Sequence, residues 1–133
     1  MEKSACRDIL DAYCSSVRVQ QEIKDRYLEV LDQKWDKILE GIQGSNTYKY
    51  VFLPSGLQFW LIIGRTDEYL LLPPHYCSCY DFYFNAVSKK KEICCYHVIT
   101  QIICQRSNRF LTIYKEDGMY LEYLQDLLEH DQN

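Results

Sequence analysis

Two short segments, His75-Tyr76-Cys77-Ser78-Cys79 and Cys94-Cys95-Tyr96-His97, concentrate the metal-binding residue types of this chain. They contain a C-x-C pair and a C-x-H pair, with residues 80–94 between the pairs. Three thiols and one imidazole form a set that zinc binds tetrahedrally, at about 2.3 Å from sulfur and about 2.0 Å from nitrogen. Because four protein ligands leave no open position for water or substrate, the pattern predicts a structural metal centre rather than a catalytic one.

The spacing within each pair constrains the local backbone. Residues two apart on a regular strand are separated by about 6.7 Å, whereas two sulfurs on one zinc ion approach to about 4 Å. We therefore expect Cys77 and Cys79 on a bent loop. Residues two apart on an α-helix point about 200° away from each other, so Cys95 and His97 can share a metal only if the helix begins at this pair.

The spacing alone leaves other ligand assignments open. Cys94 can take the place of Cys95, and His75 can take the place of His97. Burial without any metal is a further interpretation, since a reduced cysteine packs as a small apolar residue.

The segment between the pairs, residues 80–93, is aromatic at its start and basic near its end. Phe82 and Phe84 precede the run Lys89-Lys90-Lys91. We expect a helical turn here whose apolar side packs inward, with the lysines at an exposed tip.

The seven cysteines indicate a reducing compartment, because an odd number cannot form a complete set of intramolecular disulfides. Clustered cysteines in such a compartment are metal ligands or buried apolar groups. Cys6 and Cys14 lie on an apolar helical stripe and are interpreted as core residues, and Cys104 does not fit the spacing of a second zinc site.

The N-terminal part, residues 1–44, has a helical pattern. Apolar residues recur at spacings of three and four from Ser4 to Gly41, which predicts two helices or one bent helix. Ser4 is the expected N-cap, the polar residues 18–22 are the expected bend, and the helical part is expected to stop at 41–44.

The following residues favour strands. Between Thr47 and Leu72, aromatic and β-branched runs are separated by Pro54-Ser55-Gly56 and by Arg65-Thr66-Asp67, which predicts a three-stranded antiparallel meander. One face of this sheet is expected to pack on the N-terminal helices. Its aromatic residues are expected to pack within the fold rather than to form a partner surface.

Two helical patterns complete the chain, from about Cys95 to Arg106 and from about Asp117 to His130. The last helix has an apolar seam formed by Leu121, Leu124 and Leu128. The predicted fold class is α+β in a single domain, 1–133, with a helical part (1–44), a meander plus zinc-binding motif (47–106) and a C-terminal helix (117–130).

The composition narrows the function classes. At 133 residues and 15.9 kDa the chain has room for one core. A net charge of -4 and a pI near 5.3 argue against a surface that is basic throughout, as proteins that bind nucleic acid by phosphate contacts alone have. No stretch is as apolar as a membrane span, so we expect the cytosol or the nucleus.

No enzyme motif accompanies the cysteine segments. The sequence contains no Walker A loop, nucleophile elbow or H-E-x-x-H helix, and no local signature marks an activated Cys/His nucleophile. Hydrolytic zinc chemistry would require water in place of one of the four ligands. We therefore expect a protein that is not an enzyme.

The arrangement resembles the SWIM zinc-binding domain, whose motif is C-x-C, a gap, and C-x-H. Its context is similar to the small SWIM proteins of the Shu complex, with a strand-turn-strand carrying Pro54-Ser55-Gly56 and an aromatic run Asp81-Phe82-Tyr83-Phe84. The resemblance covers residues 47–106. Two positions depart from the common pattern: Tyr80 follows the C-x-C, where a small residue or proline is frequent, and Cys94 adds a thiol. They affect the expected shape of the loop rather than the ligand assignment.

By this resemblance one structural zinc ion is bound by Cys77, Cys79, Cys95 and His97. The resemblance implies a nuclear, non-enzymatic regulator of homologous recombination that acts in the repair of DNA damage. The implied partner is a RecA-family recombinase paralogue, in a heterodimer or a larger Shu-type complex. Such a complex helps the strand-exchange recombinase filament to assemble or persist on single-stranded DNA.

A second hypothesis is that this chain binds single-stranded nucleic acid directly. Basic side chains would contact phosphates while an aromatic side chain stacks on a base. The candidate residues are Lys89, Lys90, Lys91, Arg106, Arg109 and Tyr83. The simpler interpretation of the lysines is a solvated turn. Salt-dependent binding of the isolated protein to single-stranded DNA, lost on charge reversal of the three lysines, would distinguish the two.

Overall fold

A computed structural model of the protein describes residues 1–44, 46–64, 68–72, 76–77 and 95–131, with the side chains of 76–77 and 127–131 outside the description. The helices are α1 (Lys3–Ser16), α2 (Gln21–Gln33), α3 (Trp35–Gln43), α4 (Tyr96–Arg106) and α5 (Tyr120–Asp131), and a short 3-10 turn (Asp117–Met119) precedes α5. The strands are β1 (Thr47–Leu53), β2 (Gln58–Ile63), β3 (Glu68–Leu72), β4 (Tyr76–Cys77) and β5 (Leu111–Glu116). This arrangement confirms the α+β class.

The N-terminal part contains three helices rather than two. The expected bend separates α1 from α2, but a second break at Lys34 separates α2 from α3, where the backbone leaves the helical region (φ -115, ψ 24). The prediction that Ser4 caps α1 is wrong. The amide of Cys6 already donates to the carbonyl of Glu2, so Glu2 is the N-cap and Ser4 lies inside the first turn.

The sheet contains the predicted meander and extends it at both edges. The strand order is β4-β3-β2-β1-β5, with antiparallel pairs except for β5, which runs parallel to β1. β5 was not predicted from the sequence. The hairpin between β1 and β2 turns at Pro54-Ser55-Gly56, where Gly56 adopts φ +82, a conformation that favours glycine. The predicted turn at 65–67 lies outside the described residues.

Both faces of the sheet are covered, although only one covered face was expected. On one face Trp60, Ile62 and Leu71 belong to a core shared with the helices α1 to α4. On the other face a second cluster, which includes Phe52 and Phe59, packs against α5. The aromatic residues of the meander therefore pack mainly within the fold, as predicted.

The seam expected for the last helix is different from the observed one. Leu124 contacts the sheet as predicted, but Leu121 is 75% exposed, and the other contacts of α5 with the sheet come from Tyr120 and Tyr123. The tyrosines were not recognised because their apolar rings bury while their hydroxyls remain polar. The side chain of Leu128 lies outside the described residues.

Helix α4 lies at the centre of the helical layer, with contacts to α1, α2 and α3. Every residue from His97 to Cys104 is buried, as expected for a helix that is enclosed on all sides. Gly41 allows the close approach of α3, because a Cβ there would lie 2.9 Å from Cγ2 of Thr100. In the part of the chain that the structure describes, no helix is long and apolar enough to cross a membrane.

The carboxylate of Asp117 joins the β1–β2 hairpin to the start of α5. It accepts a hydrogen bond of 2.7 Å from the Ser55 hydroxyl and one of 3.1 Å from the Ser55 amide. We expect Asp117→Ala to lower the free energy of unfolding by about 1 kcal/mol, since these bonds are charge-assisted but exposed. Urea denaturation measures this change, with Glu116→Ala as the exposed control. Equal stabilities of the two variants would contradict the proposed role of Asp117.

Candidate metal centre

The C-x-H pair lies at the point where α4 begins. Cys95 is the N-cap residue, with an extended backbone (φ -99, ψ 165), and Tyr96 is the first helical residue. The amides of Val98 and Ile99 donate to the carbonyl of Cys95, so the helix starts immediately after this cysteine. The expectation that the helix begins at the pair is confirmed.

This backbone brings the two side chains together in the interior. Cys95 and His97 are each 4% exposed, and Sγ of Cys95 lies 4.0 Å from Nδ1 of His97. Two such ligands on one tetrahedral zinc ion would be about 3.5 Å apart. A thiol and an imidazole at this separation therefore fit one zinc ion with a small adjustment.

Two tyrosine rings surround His97. The centroid of its imidazole lies 4.0 Å from the Tyr69 ring of β3 and 4.0 Å from the Tyr96 ring. The Nζ atom of Lys37 lies 5.6 Å from the centroid of Tyr96. A cavity of about 460 Å³ opens beside these residues and is also lined by Glu40.

The backbone of Cys77 ends strand β4, which is the edge strand next to β3. Its register position is directly opposite Leu71, and Leu71 belongs to the same core as Cys95. Since Tyr69 precedes Leu71 by two residues, both positions lie on one face of β3. The topology thus places the backbone of Cys77 beside β3, the strand whose Tyr69 contacts His97.

The other predicted or alternative ligands, Cys79, Cys94 and His75, lie outside the described residues, as does the segment 80–93. Among the residues whose side chains are described, no three ligand-type groups come together. Of the predicted set, the structure therefore brings together Cys95 and His97.

The remaining described cysteines are core residues, which confirms the interpretation of Cys6 and Cys14. Cys6 is fully buried, Cys14 is 3% exposed, and Cys104 is fully buried, where its sulfur accepts a hydrogen bond of 3.6 Å from the Thr47 hydroxyl. Burial raises the pKa of all three thiols above the ordinary value, so they remain neutral near pH 7. A neutral buried thiol is a poor nucleophile.

The candidate nucleic-acid contacts are described only in part. The guanidinium of Arg106 donates to the Ser16 hydroxyl at 2.8 Å and lies 5.2 Å from the centroid of the Tyr13 ring. Arg109 follows α4 and is exposed. The three lysines at 89–91 and Tyr83 lie outside the described residues.

Sequence reasoning missed Tyr69. Tyr69 lies in a strand pattern like those of its neighbours, and nothing in the local sequence relates it to His97, which is 28 positions later. The contact arises because α4 packs on the face of the sheet that contains Tyr69. Only the three-dimensional packing reveals it.

Comparison with known proteins yields one informative similarity. The chain is 32% identical over 93 residues to a protein of Dictyostelium discoideum named Zinc finger SWIM domain-containing protein 7 homolog. The match covers 68% of this chain and 60% of that protein, so the chain spans less than two thirds of its relative's length. No protein-family model and no solved structure matches the chain. Over 68% of its length the chain is thus similar to a protein named for a SWIM-type zinc finger.

Proposed function

We propose that this chain is a non-enzymatic, zinc-binding subunit of a Shu-type complex. It pairs with a RecA-family recombinase paralogue and promotes assembly or stability of the recombinase filament during homologous recombination. Its site of action is the nucleus, in the repair of damaged DNA. The similarity to a protein named as a SWIM zinc finger supports the metal-binding part of this proposal. The recombination role rests on the resemblance to the small SWIM proteins of the Shu complex.

The observation that carries the proposal is the buried pair at the start of α4. A thiol and an imidazole that are both 4% exposed and 4.0 Å apart have the separation that two ligands of one tetrahedral zinc ion need, with a small adjustment. Cys77 and Cys79 would supply the other two ligands.

One zinc ion would act here as a structural cross-link between two distant parts of the chain. On one side is the edge of the sheet, where Cys77 ends β4 next to β3. On the other is the N-terminus of α4, the central helix of the fold. Fixing these elements against each other orders the surface that we propose the partner binds.

The most specific prediction of the proposed function is the identity of the partner protein. We expect a tagged full-length chain to co-purify from cells with a recombinase-like ATPase, identified by mass spectrometry. His97→Ala should abolish this co-purification, because the surface loses its order with the metal. Cys14→Ala, which removes a buried thiol far from the pair in sequence, is the control and should retain the partner.

Two results would contradict the proposal. One is the consistent absence of any recombinase-like ATPase from the wild-type purification. The other is normal recovery of the partner with His97→Ala, since the partner surface would then be independent of the metal site.

A further inference from the structure

The orientation of the His97 ring is restricted from two directions. Tyr69 stacks on it with an interplanar angle of 30°, and Tyr96 contacts it with an angle of 34°, each at a centroid distance of 4.0 Å. The ring is 4% exposed. Since a close-packed interior resists movement of a planar ring, rotation of this imidazole would require both tyrosines to move.

The nitrogen that faces the neighbouring thiol is Nδ1, at 4.0 Å from Sγ of Cys95. Nδ1 is bonded to Cγ and therefore lies closer to the backbone than Nε2. A single residue, Tyr96, separates the two ligands, so a shared metal ion must lie near the backbone at the start of α4. Because Nδ1 is the ring nitrogen closer to the backbone, it is the better placed of the two to bind such a metal ion.

The two tyrosines are themselves anchored in different elements. Tyr69 lies on β3, two positions before Leu71, the residue opposite Cys77 in the register. Tyr96 begins α4, where its carbonyl accepts a hydrogen bond of 2.7 Å from the Thr100 hydroxyl. The ring of His97 is thus held between the sheet edge that leads to the C-x-C pair and the helix that carries the C-x-H pair.

We propose that Tyr69 and Tyr96 are positioning residues that hold His97 so that it binds zinc through Nδ1 rather than Nε2. This inference rests on the proposed zinc site and adds the identity of the binding atom and of the residues that select it. Groups that orient a metal-binding histidine are typically worth a factor of about 10 to 100 in metal affinity.

Nuclear magnetic resonance of the wild-type, zinc-loaded full chain tests the binding atom directly. Long-range proton–nitrogen correlations distinguish a metal-bound ring nitrogen from a protonated one. We expect Nδ1 of His97 to be metal-bound and Nε2 to carry the proton. Coordination through Nε2 would overturn the inference while leaving the zinc site intact.

Competition with a chelator tests the role of the tyrosine ring at position 69. We expect Tyr69→Leu to weaken zinc binding about 10- to 100-fold, whereas Tyr69→Phe, which keeps the ring, should bind as the wild type does. Tyr48→Leu is the matched control, a partly buried tyrosine in the cluster on the opposite face of the sheet. Unchanged affinity of Tyr69→Leu, or equal weakening by Tyr69→Phe, would overturn the positioning role of the ring.

The outcomes also separate this inference from the proposal on which it rests. If Tyr69→Leu fails to fold, the wild-type resonance measurement still decides which nitrogen binds. If the wild-type chain binds no zinc, the proposed metal site and this inference are both overturned.

Discussion

Replacement of Cys95 by serine is expected to remove zinc from the protein and to unfold the region around the start of α4. In small zinc modules, metal binding contributes on the order of 10 kcal/mol to folding. Folded domains are stable by only about 5–15 kcal/mol in total. Because Cys95 is buried and is the N-cap of α4, loss of the proposed zinc bond should affect the whole central helix. Metal content, circular dichroism and urea denaturation of the purified variant measure the effect.

Cys104→Ser is the matched control, because it makes the same chemical change at another buried cysteine. Cys104 lies on α4 as well, but its sulfur contacts the Thr47 hydroxyl rather than a histidine. We expect this variant to retain zinc and to lose about 1–3 kcal/mol of stability, the usual effect of placing an imperfectly bonded polar group in a core. Retention of zinc by Cys95→Ser, or its loss from both variants, would contradict the assignment of Cys95 as a ligand.

The second large effect is expected on the stability of the protein, from a residue on the opposite face of the sheet. Phe52 is fully buried, and its ring lies 5.4 Å from Phe59 and 5.0 Å from Tyr120 of α5. Phe52→Ala should lower the free energy of unfolding by about 3–5 kcal/mol, since it removes the apolar contacts of the ring and leaves a cavity. Denaturant unfolding of the wild type and the variant measures this difference.

Leu57→Ala provides the comparison for Phe52→Ala. Leu57 lies in the same hairpin but is 49% exposed, so its truncation should change stability by less than about 0.5 kcal/mol. Both variants should retain zinc, because neither position touches the C-x-H pair. If Phe52→Ala lowers the free energy of unfolding by less than about 1 kcal/mol, Phe52 is not a central core residue. If it loses zinc but folds normally, the two sheet faces do not have separate roles.

Local sequence patterns were sufficient to predict three features of the fold. The start of α4 at Cys95 follows from the geometry of the C-x-H pair, because two ligands that are two residues apart cannot share a metal ion from the middle of a helix. The meander and its turn at Pro54-Ser55-Gly56 follow from strand runs interrupted by turn residues. Cys6 and Cys14 were assigned to the core because they occupy an apolar stripe.

Other features depend on long-range packing and were not accessible from local patterns. β5 becomes a strand by pairing in parallel with β1, more than sixty residues earlier in the sequence, and Leu111 and Tyr114 remain exposed on it. The burial of the second sheet face by Tyr120 and Tyr123 depends on amphipathic rings that a simple apolar count omits. The contact of Tyr69 with His97 likewise exists only when β3 and α4 are packed together.

The measurement that tests the account most directly is zinc X-ray absorption spectroscopy of the purified, natively folded wild-type chain, combined with elemental analysis. We expect one zinc ion per chain, bound by three sulfur atoms and one nitrogen atom, with no oxygen ligand. Protein that folds without stoichiometric metal would contradict it. So would a zinc ion with a water ligand in place of one of the four side chains.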